Sequence, residues 1–215
     1  MDKKQVAAAI DSTNLKANAS EADIIKLCAE VHVYGFRGIC INLGRLQFAG
    51  GQLLGKKIAV VVDFPLGAGG IAAKMNQTII AVSNGADEID PVINLGAFRD
   101  KRPGVIKYEI SAINKILPAK VIIETGYWND REIAELAKLV ADSGAMAVKT
   151  STGMGPPVSL DDKARHVEIM KKAAPGLLVK AAGDIKTLTD AVKMINAGAD
   201  IIGTSSGAAM MTEAN

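Results

Sequence analysis

The feature that most constrains this chain is a cadence of short β-rich runs. They are Ile10 to Thr13, Gly38-Ile39-Cys40-Ile41, Ile58 to Val62, Glu88 to Ile93, Val121 to Glu124, Ala147 to Thr150, Leu178 to Lys180 and Asp200 to Ile202. Between Thr13, Cys40, Val62, Asp90, Ile123, Lys149, Lys180 and Gly203 the steps are 27, 22, 28, 33, 26, 31 and 23 residues. Each step accommodates one strand, one helix and two short loops, the crossover that parallel strands require. Runs such as Ile58-Ala59-Val60-Val61-Val62 are apolar at successive positions, as strands covered on both faces are.

Helix punctuation agrees with this period. Ser20, Asn129, Ser159 and Thr187 are each followed three residues later by an acid, the sign of an N-cap. Gly85-Ala86, Gly144-Ala145 and Gly198-Ala199 each precede a run, where glycine suits the left-handed end of a helix. Eight such units predict an α/β chain folded as a single (β/α)8 TIM barrel over residues 1–215, with a short N-terminal helix. An open doubly wound sheet is the alternative, but no G-x-G-x-x-G follows the first run. With 215 residues, 49% of them hydrophobic, and no linker or shift of composition, one core suffices. Pro91 falls inside the fourth run and cannot donate a ladder hydrogen bond, so a local bulge is expected there.

Charge excludes several classes of function. Twenty-five basic residues against 23 acidic ones leave +2, with no basic cluster interleaved with aromatics, so no nucleic-acid partner is expected. The start Met1-Asp2-Lys3-Lys4-Gln5 lacks the apolar core of a signal peptide, and no run approaches the roughly 18 apolar residues of a membrane span. A cytoplasmic protein with no membrane partner is expected. Cys28 and Cys40 lack metal-ligand spacing and read as packed thiols, so neither metal nor cofactor is anticipated. The sequence stops soon after the eighth run, leaving little final helix, and a neighbouring subunit is expected to cap that side.

In such a barrel the chemistry lies at the C-terminal ends of the strands. Asp90, Lys149 and Lys180 stand there, each within an otherwise apolar run. Lys149, in Met146-Ala147-Val148-Lys149-Thr150-Ser151-Thr152-Gly153, is either a Schiff-base nucleophile or a lysine whose stem packs while its head reaches water. Period-two alternation puts Glu88, Asp90 and Asn94 on one face, which should point into the barrel. Lys149 and Lys180 would lie on adjacent strands about 4.8 Å apart, where two ammonium charges repel by about 3 kcal/mol at a dielectric of ~20. By this reasoning Lys180 activates Lys149, and Asp90 either carries protons or merely pairs with a buried lysine. The turns Ala182-Gly183-Asp184 and Gly203-Thr204-Ser205-Ser206-Gly207 follow the last two runs, where such barrels often bind phosphate. Small residues at tight turns would look the same.

Six stretches, in order, resemble the deoxyribose-phosphate aldolase family: Asp11-Ser12-Thr13, Asp63-Phe64-Pro65-Leu66-Gly67, Asn84-Gly85-Ala86-Asp87-Glu88-Ile89-Asp90, Val121-Ile122-Ile123-Glu124-Thr125, Val148-Lys149-Thr150-Ser151-Thr152-Gly153 and Gly203-Thr204-Ser205-Ser206. The resemblance covers essentially the whole chain. It implies a metal-independent lyase of deoxyribonucleotide catabolism that reversibly cleaves 2-deoxy-D-ribose 5-phosphate to acetaldehyde and D-glyceraldehyde 3-phosphate. It further implies a homo-oligomer, a dimer or tetramer. On this resemblance Lys149 forms the imine, Asp90 relays protons and Lys180 is the second lysine. Asp11, Thr13, Cys40 and Thr152 are expected at the substrate, and Gly183, Lys186, Gly203, Ser205 and Ser206 at the phosphate. Three departures stand out: Ser12 in the usual Asp-His-Thr, Ala182 where serine is common, and Asp184 in place of a glycine. A carboxylate at Asp184 would repel a phosphate if it points inward. Rival readings are a Schiff-base barrel aldolase with another donor, and a sugar-phosphate binding barrel without catalysis.

Overall fold

A computed structural model describes residues 1–213. One strand forms for each run: β1 (Ile10–Asn14), β2 (Gly38–Ile41), β3 (Lys57–Val62), β4 (Glu88–Pro91), β5 (Lys120–Ile122), β6 (Ala147–Lys149), β7 (Leu178–Ala182) and β8 (Ile201–Thr204). All pair in parallel, in the order β4-β3-β2-β1-β8-β7-β6-β5.

The two ends of that order meet, which makes the sheet a nearly closed barrel. Ile89 bridges Ala119 and Val92 bridges Ile122, with Ile89 N–H donating to Pro118 at 3.0 Å and Ile93 N–H to Ile122 at 3.0 Å. Regular spacing would have residue 91 donate to Lys120 between these bonds, and proline has no N–H to give. The expected bulge is absent: β4 keeps unbroken register with β3 from Ala59 opposite Glu88 to Val62 opposite Pro91. The ring absorbs the proline by omitting one rung.

Helices cover the outside: α1 (Lys3–Ala9), α2 (Glu21–Tyr34), α3 (Gly70–Ser83), α4 (Leu95–Arg99), α5 (Pro103–Asn114), α6 (Asp130–Asp142), α7 (Leu160–Ala173), α8 (Leu188–Asn196) and α9 (Gly207–Thr212). Ser20, Asn129, Ser159 and Thr187 cap α2, α6, α7 and α8 through their side chains. Gly85, Gly144 and Gly198 take φ of 87, 79 and 105°, the left-handed conformation anticipated for them. The shortest step, between Cys40 and Val62, departs from the expected pattern: a 3-10 turn at Leu43–Phe48 stands where an α-helix was expected. Among the described residues, no helix is long and apolar enough to cross a membrane.

Alternation along each strand sorts the side chains into two environments. Ile39, Ile41, Val60, Val62, Ile89, Val121, Ile123, Val148, Val179 and Ile202 face outward and join one large core with the helices. Each such buried aliphatic side chain contributes about 1.5–3 kcal/mol. The intervening residues face the barrel axis, where Cys40, Ala59 and Val61 form a small separate cluster, Ile122, Ala147 and Ile201 lie buried apart from the outer core, and Asp11, Glu88, Asp90, Lys120, Lys149 and Lys180 form an ionic group. Asn94 leaves the inward face expected for it and caps α4 by accepting from Ala97 N–H at 2.9 Å. The loop Asp63-Phe64-Pro65-Leu66-Gly67 is braced from α3, where buried Lys74 donates to Asp63 Oδ2 at 2.8 Å and to the Gly67 carbonyl at 3.0 Å.

Candidate active site

Register brings the ionic residues together. Lys149 pairs with Lys180 across β6 and β7, and Val61 with Asp90 across β3 and β4. Within the barrel, Asp90 Oδ2 accepts from Lys149 Nζ at 2.7 Å and from Lys180 Nζ at 2.8 Å. Lys180 also donates to Asp11 Oδ2 at 2.6 Å. Lys120 Nζ lies 2.9 Å from Asp90 Oδ1 and 2.6 Å from Glu88 Oε2. Arg37 closes the far side on Asp11 at 2.8 Å and Glu88 at 2.5 Å. Small residues make the room: a Cβ on Gly203 would lie 3.1 Å from Lys180 Cε.

The repulsion argued from sequence therefore needs a third body, because Asp90 binds both ammonium groups at once. Burial pushes the Asp90 carboxyl up, but Lys120, Lys149 and Lys180 outweigh it and hold it well below the usual carboxylate range. Burial pulls Lys180 down, and Asp11 and Asp90 more than restore it, so its pKa rises above the normal lysine value. Arg37, Lys120, Lys149 and Lys180 face Asp11, Glu88 and Asp90, four cations to three carboxylates. One neutral amine would balance the cluster.

Asp11 carries a testable consequence. Burial raises its pKa, but Lys180, then Lys120 and Arg37, lower it to about 2 from 3.8. A depressed folded-state pKa contributes stability that is complete above the unfolded value and lost as pH falls, here between about pH 4 and 2, worth roughly 2 kcal/mol. Urea unfolding at stepped pH should show this loss in the wild type. Asp11→Asn should be less stable at neutral pH and show a shallower acid slope; an unchanged slope would contradict the assignment.

Above the cluster, at the C-terminal ends of the strands, opens a cavity of about 470 Å³. Of the clustered residues only Lys149 reaches its wall, beside Thr13, Thr152, Gly183, Lys186, Gly203 and Ser205. Asp11 and Cys40, expected at the substrate, are fully buried and lie off that wall. Cys40 Sγ is 3.5 Å from Asp90 Oδ2, and burial first, then Asp90, raises its thiol pKa. Thr152 lines the cavity, but its hydroxyl donates to Glu124 Oε2 at 2.5 Å and accepts from Met154 N–H at 2.9 Å. Thr150 ties β6 to β7, donating to the Ala182 carbonyl at 3.1 Å and accepting from its N–H at 3.0 Å.

The turn after β7 differs from the sequence expectation in one respect. Thr187 does begin α8, but its first amides are occupied: Asp190 accepts from Lys186 and Thr187 N–H at 3.0 Å each, and Glu213 from Leu188 N–H at 3.2 Å. The amides of Asp184 and Ser205 donate to no backbone acceptor among the described residues. Asp184 takes φ of 52°, its side chain is 67% exposed, and its carboxylate lies 3.2 Å from Lys186 Nζ. Ser206 lies beyond the cavity wall, its N–H donating to Thr204 Oγ1 at 2.9 Å.

Lys120, Arg37, Glu124 and Lys163 had no part in the sequence reading of the site. Lys120 was legible in principle, since it sits two residues before inward-facing Ile122.

Lys149 thus carries an amine from a buried ionic lattice to the mouth of a parallel barrel, where it can meet a small carbonyl compound. The chain belongs to the DeoC/LacD aldolase family, whose family model matches residues 5–213. A deoxyribose-phosphate aldolase from Thermococcus kodakarensis is 43% identical over 96% of this chain and 96% of its own. One from Caldicellulosiruptor saccharolyticus is 42% identical over 99% and 100%. The solved deoxyribose phosphate aldolase from Aeropyrum pernix, described as a tetramer, superposes with a TM-score of 0.87 at 33% identity, covering 96% of this chain and 89% of that one.

Proposed function

We propose that the chain reversibly cleaves 2-deoxy-D-ribose 5-phosphate to acetaldehyde and D-glyceraldehyde 3-phosphate through an imine on Lys149. The observation that carries this reading is that Lys149 alone joins the ionic cluster to the cavity. The neutral Lys149 amine adds to the C1 aldehyde, and the carbinolamine loses water to give an iminium. A base removes the C3 hydroxyl proton, the C2–C3 bond breaks, and its electron pair passes into the iminium to form an enamine. Protonation at C2 and hydrolysis then release acetaldehyde and regenerate the amine. Asp90, charged and 2.7 Å from Lys149, is the proton carrier, directly or through one water. Lys180 keeps that carboxylate ionised and in place. The iminium is the electron sink, so no step requires a metal or cofactor.

Phosphate is assigned to the turns of Gly183, Lys186, Gly203, Ser205 and Ser206, through the Asp184 and Ser205 amides and the Lys186 ammonium. Thr13 and Thr152 face the sugar. Asp184 competes there, because it pairs with Lys186. Asp184→Gly, which relieves the positive φ as well as the charge, is expected to lower KM for the phosphorylated sugar about fivefold, the effect of ~1 kcal/mol at an exposed site. KM for 2-deoxyribose should barely move, and equal changes for both sugars would refute the charge effect. A homo-oligomer, dimer or tetramer, completes the reading, supported by the tetrameric relative, and the cytoplasm is its proposed location. Product analysis with acetaldehyde and D-glyceraldehyde 3-phosphate tests it: the phosphorylated deoxysugar should form, and failure of acetaldehyde as donor would favour an aldolase with another donor.

A further inference from the structure

A cation lies beneath the Gly183–Asp184 turn that the steps above leave without work. Lys163 stands in the first turn of α7, and it is only 3% exposed. Its ammonium donates to the Gly183 carbonyl, and no carboxylate comes within salt-bridge distance of it among the described residues. A methyl group on Gly183 would lie 3.6 Å from Lys163 Nζ, so the charge rests against the turn itself.

Stability supplies no reason for this placement. A buried ammonium forfeits its hydration, and the amino end of a helix disfavours positive charge. Burial pulls the Lys163 pKa below the usual lysine range, with Asp184, Asp190 and Glu124 opposing. A space of about 20 Å³ separates it from Glu124 and Ser151, and the Ser151 hydroxyl has no protein partner among the described residues. The same turn, Gly183 and Asp184, also lines the main cavity.

We infer that Lys163 sets the preference for phosphorylated over unphosphorylated substrate, by holding the Gly183 peptide and offsetting the Asp184 charge from below the turn. The inference rests on the aldolase reading above. Asp184 and Lys186 form an ion pair, and Lys163, which Asp184 faces most strongly and Asp190 and Glu124 also face, sets a further positive charge against the turn where the phosphate would bind. It is a positioning residue that touches no substrate.

The test is steady-state kinetics on the full chain with 2-deoxyribose 5-phosphate and 2-deoxyribose, for wild type, Lys163→Gln, Asp184→Asn and the double variant. Asparagine tolerates the positive φ of residue 184 and removes only its charge. Lys163→Gln should raise the ratio of KM for the phosphorylated sugar to KM for the plain sugar about tenfold, as expected for losing one charge a few ångströms beyond contact. Asp184→Asn should lower that ratio, and the double variant should return towards wild type. A purely structural role would not produce this charge reversal. Equal changes for both sugars in Lys163→Gln, or no recovery in the double variant, would overturn the inference. Removing an uncompensated buried charge should also leave the melting temperature no lower than wild type. Loss of folded protein in both Lys163→Gln and Lys163→Met would instead assign the residue to stability and overturn the proposal. A wild type that cleaves neither sugar would sink the aldolase reading itself, whereas an active wild type whose ratio these variants leave unchanged would sink only the role of Lys163.

Discussion

Lys149→Arg is expected to lower aldol cleavage by at least about 10⁴-fold, the scale of removing a covalent nucleophile. Guanidinium remains protonated and cannot add to an aldehyde. The substitution is informative because arginine still offers Asp90 a cation, and Asp90 accepts 2.7 Å from the present ammonium. The ionic cluster keeps its charge while the nucleophile is lost. Thermal unfolding should therefore change little as activity disappears, and circular dichroism together with an acetaldehyde-release assay reads both. A variant that keeps most of its rate would show that Lys149 only binds.

Lys180→Leu is expected to reduce turnover about a hundredfold or more, the range of a lost proton-transfer arrangement. The structure adds a second cost. Lys180 donates to Asp11 at 2.6 Å and to Asp90 at 2.8 Å, and all three side chains are fully buried. Leucine leaves two carboxylates short of a partner, and breaking a buried pair from one side costs about 3–5 kcal/mol. Turnover must therefore be measured well below the melting temperature of the variant. A stable variant with wild-type turnover would remove Lys180 from the account, and a destabilised one with wild-type turnover would leave it only a structural role.

The strands were legible because apolar runs, N-caps and left-handed glycines are local signals. Val121 to Glu124 shows where local signals end: β5 begins one residue earlier, at Lys120, whose inward direction follows from register with Ala147. A lysine before an apolar run reads as a solvated flank until its neighbours across the barrel are known. Asp11 has the same history, since motif position suggests a substrate contact while packing gives it Lys180 and Arg37. Pro91 suggested a bulge, yet the missing rung falls at the β4–β5 seam and register survives. Lys163 carries no sequence signal, because its partner is a backbone carbonyl 20 residues away.

The central claim is that the Lys149 amine forms an imine with the donor aldehyde. The direct measurement is borohydride reduction of the protein with acetaldehyde, followed by mass spectrometry of its peptides. An ethyl group on Lys149, present in the wild type and in Lys163→Gln but missing from Lys149→Arg, is the predicted result. An unmodified Lys149 in active protein, or an ethyl group on another lysine that tracks activity, would contradict it.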